Sequence, residues 1–266
     1  DGRLAARRGD ARSGPPILAV GDSYPEAKQV PPRLRFTELA QAELGVAVIN
    51  AGHSSWTLGH HANFVRRRCA AYAPRAIVVQ LNDGDAGEPA GAGVDITPEG
   101  GGYALRLAPP ARSRASLLVE AVARARALLE SAGSLLLSRQ LGRERPTHSS
   151  ERELPEDLEA RVAWALGDIA RCAPVLVLYV PRLDYRQARC EPQFPETSAR
   201  FAAAARSAGA PYLDVGEAFC AAYARDRQPP HGFHNARMGA GHPNALGHRI
   251  LARALVDALR RLEAAR

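Results

Sequence analysis

The sequence predicts an α/β domain wound on both sides of a largely parallel sheet. Three observations point there. Five short apolar runs recur along the chain, stretches with helical periodicity separate them, and each run stops abruptly at small or polar residues. Continuous apolar runs suit strands buried on both faces, and alternation with helices suits parallel βαβ units.

The runs are 16–20 (PILAV), followed by Gly-Asp-Ser; 46–49 (VAVI), followed by Asn-Ala-Gly; 76–81 (AIVVQL), followed by Asn-Asp-Gly-Asp; 175–180 (VLVLYV), followed by Pro181; and 212–215 (YLDV), followed by Gly216. Helical spacing marks 33–44, which stops at Gly45, a common C-terminal signal. Further helices are read at 58–72, ending before Pro74; at 116–141, where Gly133 is a candidate break; at 154–173, with Pro155 in its first turn; at 197–208; and at 244–264. Residues 84–102 are rich in Gly, Pro and Ala and read as a loop, and 143–153 (RERPTHSSERE) is a polar stretch. With the 116–141 helix they form an insertion at 84–153, after the third strand, that is a candidate cap. Residues 1–15 are read as a poorly ordered extension and 16–266 as one domain.

Composition narrows the function classes. The 266 residues are 46% AVILMFWYC and 24% charged, ordinary for a soluble globular chain. No apolar run reaches the length of a membrane span. Residues 1–14 are polar and Arg-rich without an apolar core, and the chain begins without Met, so cytoplasmic and exported readings both stay open. The net charge of +7 rests almost wholly on arginine, Lys28 being the only lysine. These arginines are scattered and interleaved with acids, which reads as a solvated surface rather than a nucleic-acid interface. The four cysteines form no CxxC pair. Cys69 and Cys172 are read as buried thiols, while Cys190 and Cys220 can pair if the chain is exported.

In a doubly wound sheet, function gathers at the carboxyl ends of the strands. Those ends carry Gly21-Asp22-Ser23, Asn50-Ala51-Gly52 and Asn82-Asp83, and near the C-terminus stands Gly241-His242-Pro243-Asn244. In this order the blocks resemble the GDSL/SGNH hydrolase family, over about residues 16–264. The resemblance implies a flavodoxin-like three-layer sandwich on a mostly five-stranded parallel sheet. It also implies an acyl-serine mechanism without cofactor: Ser23 as nucleophile, His242 as base, and an oxyanion hole formed by the Ser23 and Gly52 backbone N–H groups and the Asn82 amide. The chemistry requires such parts, because a serine hydroxyl needs a base within hydrogen-bond reach and the tetrahedral oxyanion needs fixed donors. The substrate is then a small-molecule or glycan-linked ester, with oligomeric state open. Two alternatives are a carbohydrate O-acetyltransferase and a non-catalytic binding protein on the same fold.

The chain departs from the family pattern in two places. The Asp usual three residues before the catalytic His is Gly239, and the Gly usual two residues before the Asn is Gln80. Three explanations meet the absent acid: a Ser–His dyad with a backbone carbonyl holding the ring, which is the reading adopted; a substitute carboxylate, for which Asp214 is the candidate; or a weak or inactive enzyme. Asp22 is read as ordering its own turn. His248 is read as structural, whereas His231 and His234 are candidates for the pocket lining. The adjacent His60 and His61 face different ways, and no metal site is expected.

Overall fold

A computed structural model describes residues 14–87, 93–107, 154–186, 189–235 and 237–264. The chain divides into two units, one made of residues 1–106 with 154–266 and the other of 107–153. The architecture below is that of the first. The helix anticipated at 116–141, the polar stretch 143–153 and nearly all of the N-terminal extension lie outside the described residues.

The strands, in chain order, are β1 (Ile17–Gly21), β2 (Val48–Gly52), β3 (Ala76–Asn82), β4 (Val94–Glu99), β5 (Gly102–Leu107), β6 (Val175–Val180), β7 (Leu183–Arg186), β8 (Arg189–Pro192) and β9 (Tyr212–Asp214). The described helices are α1 (Ser23–Glu26), α2 (Phe36–Leu44), α3 (Leu58–Tyr72), α4 (Leu158–Ala170), α5 (Pro195–Ser207), α6 (Gly216–Asp226) and α7 (Ala245–Ala264), with a short 3-10 turn on each side of the α2–β3 region (Pro32–Leu34 and Asp83–Gly87). The central sheet is parallel throughout, in the order β2-β1-β3-β6-β9. This is the doubly wound flavodoxin-like arrangement.

Why the runs become buried strands is visible in their side chains. Every residue of β1 and β6 is buried. Along β1, Leu18 and Val20 face one core and Ile17 and Ala19 the other, as the two-residue period of a strand demands. The first core packs against Leu58, Ala62 and Val65 of α3, Val162, Leu166 and Ile169 of α4, and Phe201 and Ala205 of α5. The second packs against Phe36 and Ala40 of α2, Phe219 of α6, and Leu251, Leu255, Val256 and Leu259 of α7. Those last four lie at i, i+4, i+5 and i+8, one apolar stripe of a helix. Truncating one of them, Leu255→Ala, costs about 2–5 kcal/mol of stability, because a cavity replaces a packed side chain.

The register aligns the strand ends. Gly21 pairs with Gly52, Asn82 with Val180, and Tyr179 with Asp214. The residues following β1, β2, β3 and β6 therefore emerge along one edge of the sheet.

Several elements differ from expectation. Part of the glycine-rich loop is a hairpin, β4 and β5, turning at Gly100 and Gly101 with φ of 57° and 80°. The two-glycine turn supplies the positive φ that a tight hairpin needs, and compositional reading masked that signal. A second hairpin, β7–β8, and helix α6 fall in stretches to which the sequence reading assigned no element. Cys69 and Cys172, expected to be separate thiols, form a disulfide, and Cys190 pairs with Cys220. The first bond ties the end of α3 to the residues just after α4, two helices on the same face of the sheet; helical patterning alone does not reveal that adjacency. No described helix is long and apolar enough to cross a membrane.

Candidate active site

Ser23 opens α1 at the end of β1, where the chain turns sharply. Asp22 caps that single turn, its Oδ1 accepting the Tyr24 N–H at 2.9 Å. Asn82 ends β3 and is almost fully buried. Its carboxamide is fixed from both ends: Oδ1 accepts the Gly84 N–H at 2.7 Å, and Nδ2 donates to Asp22 Oδ2 at 3.1 Å. Its backbone N–H donates to Asp85. Asn82 and the nucleophile's own turn are thus linked by one hydrogen bond.

His242 reaches the same place from 219 residues away. Its Nε2 lies 2.8 Å from Ser23 Oγ. The loop that carries it is closed on itself. Gly232 N–H donates to the His242 carbonyl, Gly239 N–H to the His231 carbonyl, and Asn244 N–H to the Pro230 carbonyl, each at 2.9 Å. Asn244 also donates through Nδ2 to Pro229 and Gly232 carbonyls, while its Oδ1 accepts the Leu246 and Gly247 N–H groups that begin α7. One side chain therefore caps the helix and fastens the loop. From the other side, Tyr24 donates its hydroxyl to the Gly241 carbonyl.

The electrostatics hold the His242 pKa below that of a free imidazole. Burial lowers its pKa, the Asp22 charge raises it, and the Arg182 charge lowers it. Asp22 is itself pushed up by burial, opposed by its hydrogen bonds and by His242. Asp22 is the carboxylate that acts on the imidazole. Among the described residues, the His242 Nδ1 meets no hydrogen-bond acceptor.

Asp214, the candidate substitute acid, is not brought to His242. It stands at the end of the outer strand β9, where its oxygens accept the Ser198 hydroxyl at 2.6 Å and the Gly216 N–H at 2.8 Å. The reason is local: an Asp followed two residues later by a helix-opening glycine folds back on its own chain. Gly239 has φ of 81°, and a Cβ there would lie 3.3 Å from a Tyr185 ring carbon. The loop conformation and an acid at that position are therefore in conflict.

Gly52 lies where expected, at the end of β2, and a Cβ there would fall 2.4 Å from the Glu26 nitrogen. Glycine lets α1 settle onto the strand end. Its N–H, however, donates to its own Asn50 Oδ1 at 2.9 Å. The following loop is docked on α1 by Ser54, whose N–H donates to Glu26, and Ser55 turns with φ of 66°, a left-handed conformation unusual for serine.

The remaining histidines divide. His231 is buried behind the catalytic loop, its Nδ1 2.8 Å from the Tyr185 hydroxyl and its pKa lowered by burial to about 3, so it supports the loop rather than lining a pocket. His234 is exposed. His248 accepts the Phe36 N–H inside the core, the structural role expected of it. Among the described residues no three His, Cys, Asp or Glu side chains gather in a manner that holds a metal ion. Sequence reasoning missed Tyr24, Asn244 and Arg182. Arg182 stands two residues past β6, after Pro181, so the strand-end rule that found Asn82 would have found it as well.

Similarity to known proteins agrees with the fold. Several solved structures share the fold at low identity. The chain matches a lipolytic protein of the G-D-S-L family from Veillonella parvula DSM 2008 with a TM-score of 0.53 and 12% identity, over 93% of this chain and 100% of that one. It matches the psychrotrophic esterase EstA from Pseudoalteromonas sp. with a TM-score of 0.52 and 12% identity, over 94% and 100%. TesA gives a TM-score of 0.50 and 14% identity, over 93% and 99%. Among curated proteins none matches the sequence. A family model matches residues 19–250, spanning all four blocks from the Ser23 turn to the His242 loop, and the chain belongs to the GDSL-like lipase/acylhydrolase family.

Proposed function

We propose that this chain is a carboxylic ester hydrolase that works through an acyl-Ser23 intermediate. The observation that carries this reading is the 2.8 Å approach of His242 Nε2 to Ser23 Oγ beside the anchored Asn82 amide. A neutral imidazole at that distance takes the hydroxyl proton as Ser23 Oγ attacks the ester carbonyl carbon. The carbonyl electrons move to oxygen. Two donors suit that oxyanion: the Ser23 N–H, in a helix first turn where N–H groups have no intrahelical acceptor, and the second hydrogen of Asn82 Nδ2. Gly52 joins them as a third donor only if its N–H leaves Asn50. Collapse expels the alcohol, which takes the proton from His242. Water then attacks the acyl carbonyl carbon, losing a proton to His242; collapse breaks the acyl–Oγ bond, His242 returns that proton to Ser23 Oγ, and the acid is released.

Among the described residues, no carboxylate meets the second nitrogen of the imidazolium formed on the way. Asp22 offsets part of its charge through space, so the site is a Ser–His dyad with an electrostatic partner rather than a hydrogen-bonded triad. Family membership and the shared fold support the reaction class. The test is para-nitrophenyl acetate turnover by the wild-type chain and by Ser23→Ala, with acid quenching and peptide mapping to locate the acetyl group. The reading expects acetyl on Ser23 and no turnover by the variant. Turnover that survives in Ser23→Ala overturns it.

A further inference from the structure

Arg182 leaves the sheet at the end of β6, on the edge that carries Ser23 and Asn82. Its backbone is anchored on both sides. The N–H donates to the buried carboxylate of Asp83, and the carbonyl accepts the Gln193 N–H at 2.9 Å. Asp83 is itself held by the Tyr179 hydroxyl. The hairpin β7–β8 that follows is cross-linked to α6 by the Cys190–Cys220 disulfide. Two backbone hydrogen bonds therefore fix position 182, and the Tyr179 hydroxyl and the disulfide brace the residues around it, yet the side chain is exposed.

The guanidinium points back over Gly84. Built on the Gly84 backbone, a Cβ would lie 2.7 Å from Asn82 Oδ1 and 3.8 Å from Arg182 Nη2. The guanidinium and the Asn82 carboxamide thus flank the space that a side chain at position 84 would fill. Among the described residues the guanidinium makes no ion pair or hydrogen bond at contact distance, although its charge acts on Asp83, whereas Arg66, Arg75, Arg200 and Arg260 each hold a carboxylate. The Arg182 charge also reaches both Tyr24 and His242, whose rings lie together beside Ser23.

We infer that Arg182 is an anion subsite beside the reacting centre, and that the ester processed there carries a carboxylate, sulfate or phosphate group. The inference rests on the acyl-Ser23 reading and adds the substrate class to it. A planar, permanently charged fork on a fixed stem suits an oxyanion group, since little freedom is lost when it binds. The Asn82 carboxamide carries its Oδ1 on the Gly84 side, where the guanidinium lies, and its Nδ2 on the Asp22 side, so an anionic group reaches the guanidinium from an ester held at Nδ2 by extending past the carboxamide.

The test uses two matched ester pairs. Para-nitrophenyl succinate against para-nitrophenyl butyrate places the charge on the acyl side. Para-acetoxybenzoate against para-acetoxybenzamide places it on the alcohol side. For each pair the charged-to-neutral ratio of kcat/KM is measured in the wild-type chain and in Arg182→Gln, Arg182→Glu and Arg182→Lys; taking a ratio cancels differences in folding yield. At least one pair should show a wild-type ratio on the order of 10. That ratio should collapse in Arg182→Gln, invert in Arg182→Glu, survive in part in Arg182→Lys, and shrink as ionic strength rises. Ratios that are the same in the wild type and in Arg182→Glu for both pairs overturn the subsite alone. A wild-type chain that turns over none of the four esters overturns the acyl-serine reading, and the subsite falls with it.

Discussion

Tyr24 and His242 are joined twice. Their rings lie 5.1 Å apart at an angle of 33°, and the Tyr24 hydroxyl donates at 3.3 Å to the carbonyl of Gly241, the residue before His242. The residue next to the nucleophile therefore also holds the loop of the base. Tyr24→Phe keeps the ring contact and removes the hydroxyl. The expected result is a fall in kcat of about two- to tenfold with KM little changed, since a net hydrogen bond is worth about 0.5–1.5 kcal/mol. Steady-state kinetics on para-nitrophenyl acetate checks this, and an unchanged kcat would show that the loop is held without Tyr24.

The pH profile reports on the missing acid. Ester turnover should rise as His242 loses its proton, with a midpoint below the ordinary histidine value because burial disfavours the charged ring. Asp22 raises that pKa and Arg182 lowers it. Removing the carboxylate in Asp22→Asn should therefore move the midpoint to lower pH and reduce the plateau, while Arg182→Gln should move it to higher pH. A midpoint in Asp22→Asn equal to that of the wild type would remove Asp22 from the account.

Restoring the family acid in place should fail. Gly239→Asp puts a side chain at φ of 81° and against Tyr185. The left-handed conformation alone costs about 1–2 kcal/mol. Both melting temperature and kcat are expected to fall. A Gly239→Asp chain that is more active than the wild type would mean that the loop adapts and the dyad is a lesion.

This contrast shows how far the sequence speaks. The parallel sheet was legible because apolar runs and helical periods are local signals, and β6 and α3 begin and end where those signals do. Ser23, Asn82 and His242 were legible because each stands just past an element end. The surroundings of His242 were not. Asp214 looked well placed along the chain, yet its carboxylate turns toward Ser198 and Gly216. The Cys69–Cys172 bond joins residues 103 positions apart on helices whose adjacency depends on the whole winding. Likewise, Gly52 shows why it is a glycine but not that its N–H is held by Asn50.

Acid should unfold the protein through its buried histidines. Burial holds the pKa of His61 and His231 down to about 3 and that of His248 to about 4, against 6.5 for a free ring. The unfolded chain thus binds more protons below pH 6.5, and stability falls as pH drops through that value toward 3 or 4. The slope approaches about 1.4 kcal/mol per pH unit for each such histidine. Denaturant titrations at a series of pH values measure it. His61→Gln or His231→Gln should each flatten the slope, and a slope that neither variant changes would assign the acid sensitivity to carboxylates.

The two disulfides predict that all four cysteines are oxidised in the folded chain. Under denaturing conditions, a maleimide reagent should label no cysteine before reduction and all four after it. Removing the Cys69–Cys172 bond should cost about 2–4 kcal/mol of stability. Four labelled thiols in unreduced protein would contradict the pairing.

The most direct test of the catalytic pair is the site and rate of fluorophosphonate labelling, read by peptide mapping. The account predicts one adduct, on Ser23, formed at a rate that falls by orders of magnitude in His242→Ala while the melting temperature holds. An adduct on another residue, or labelling of Ser23 at the same rate in His242→Ala, would contradict it.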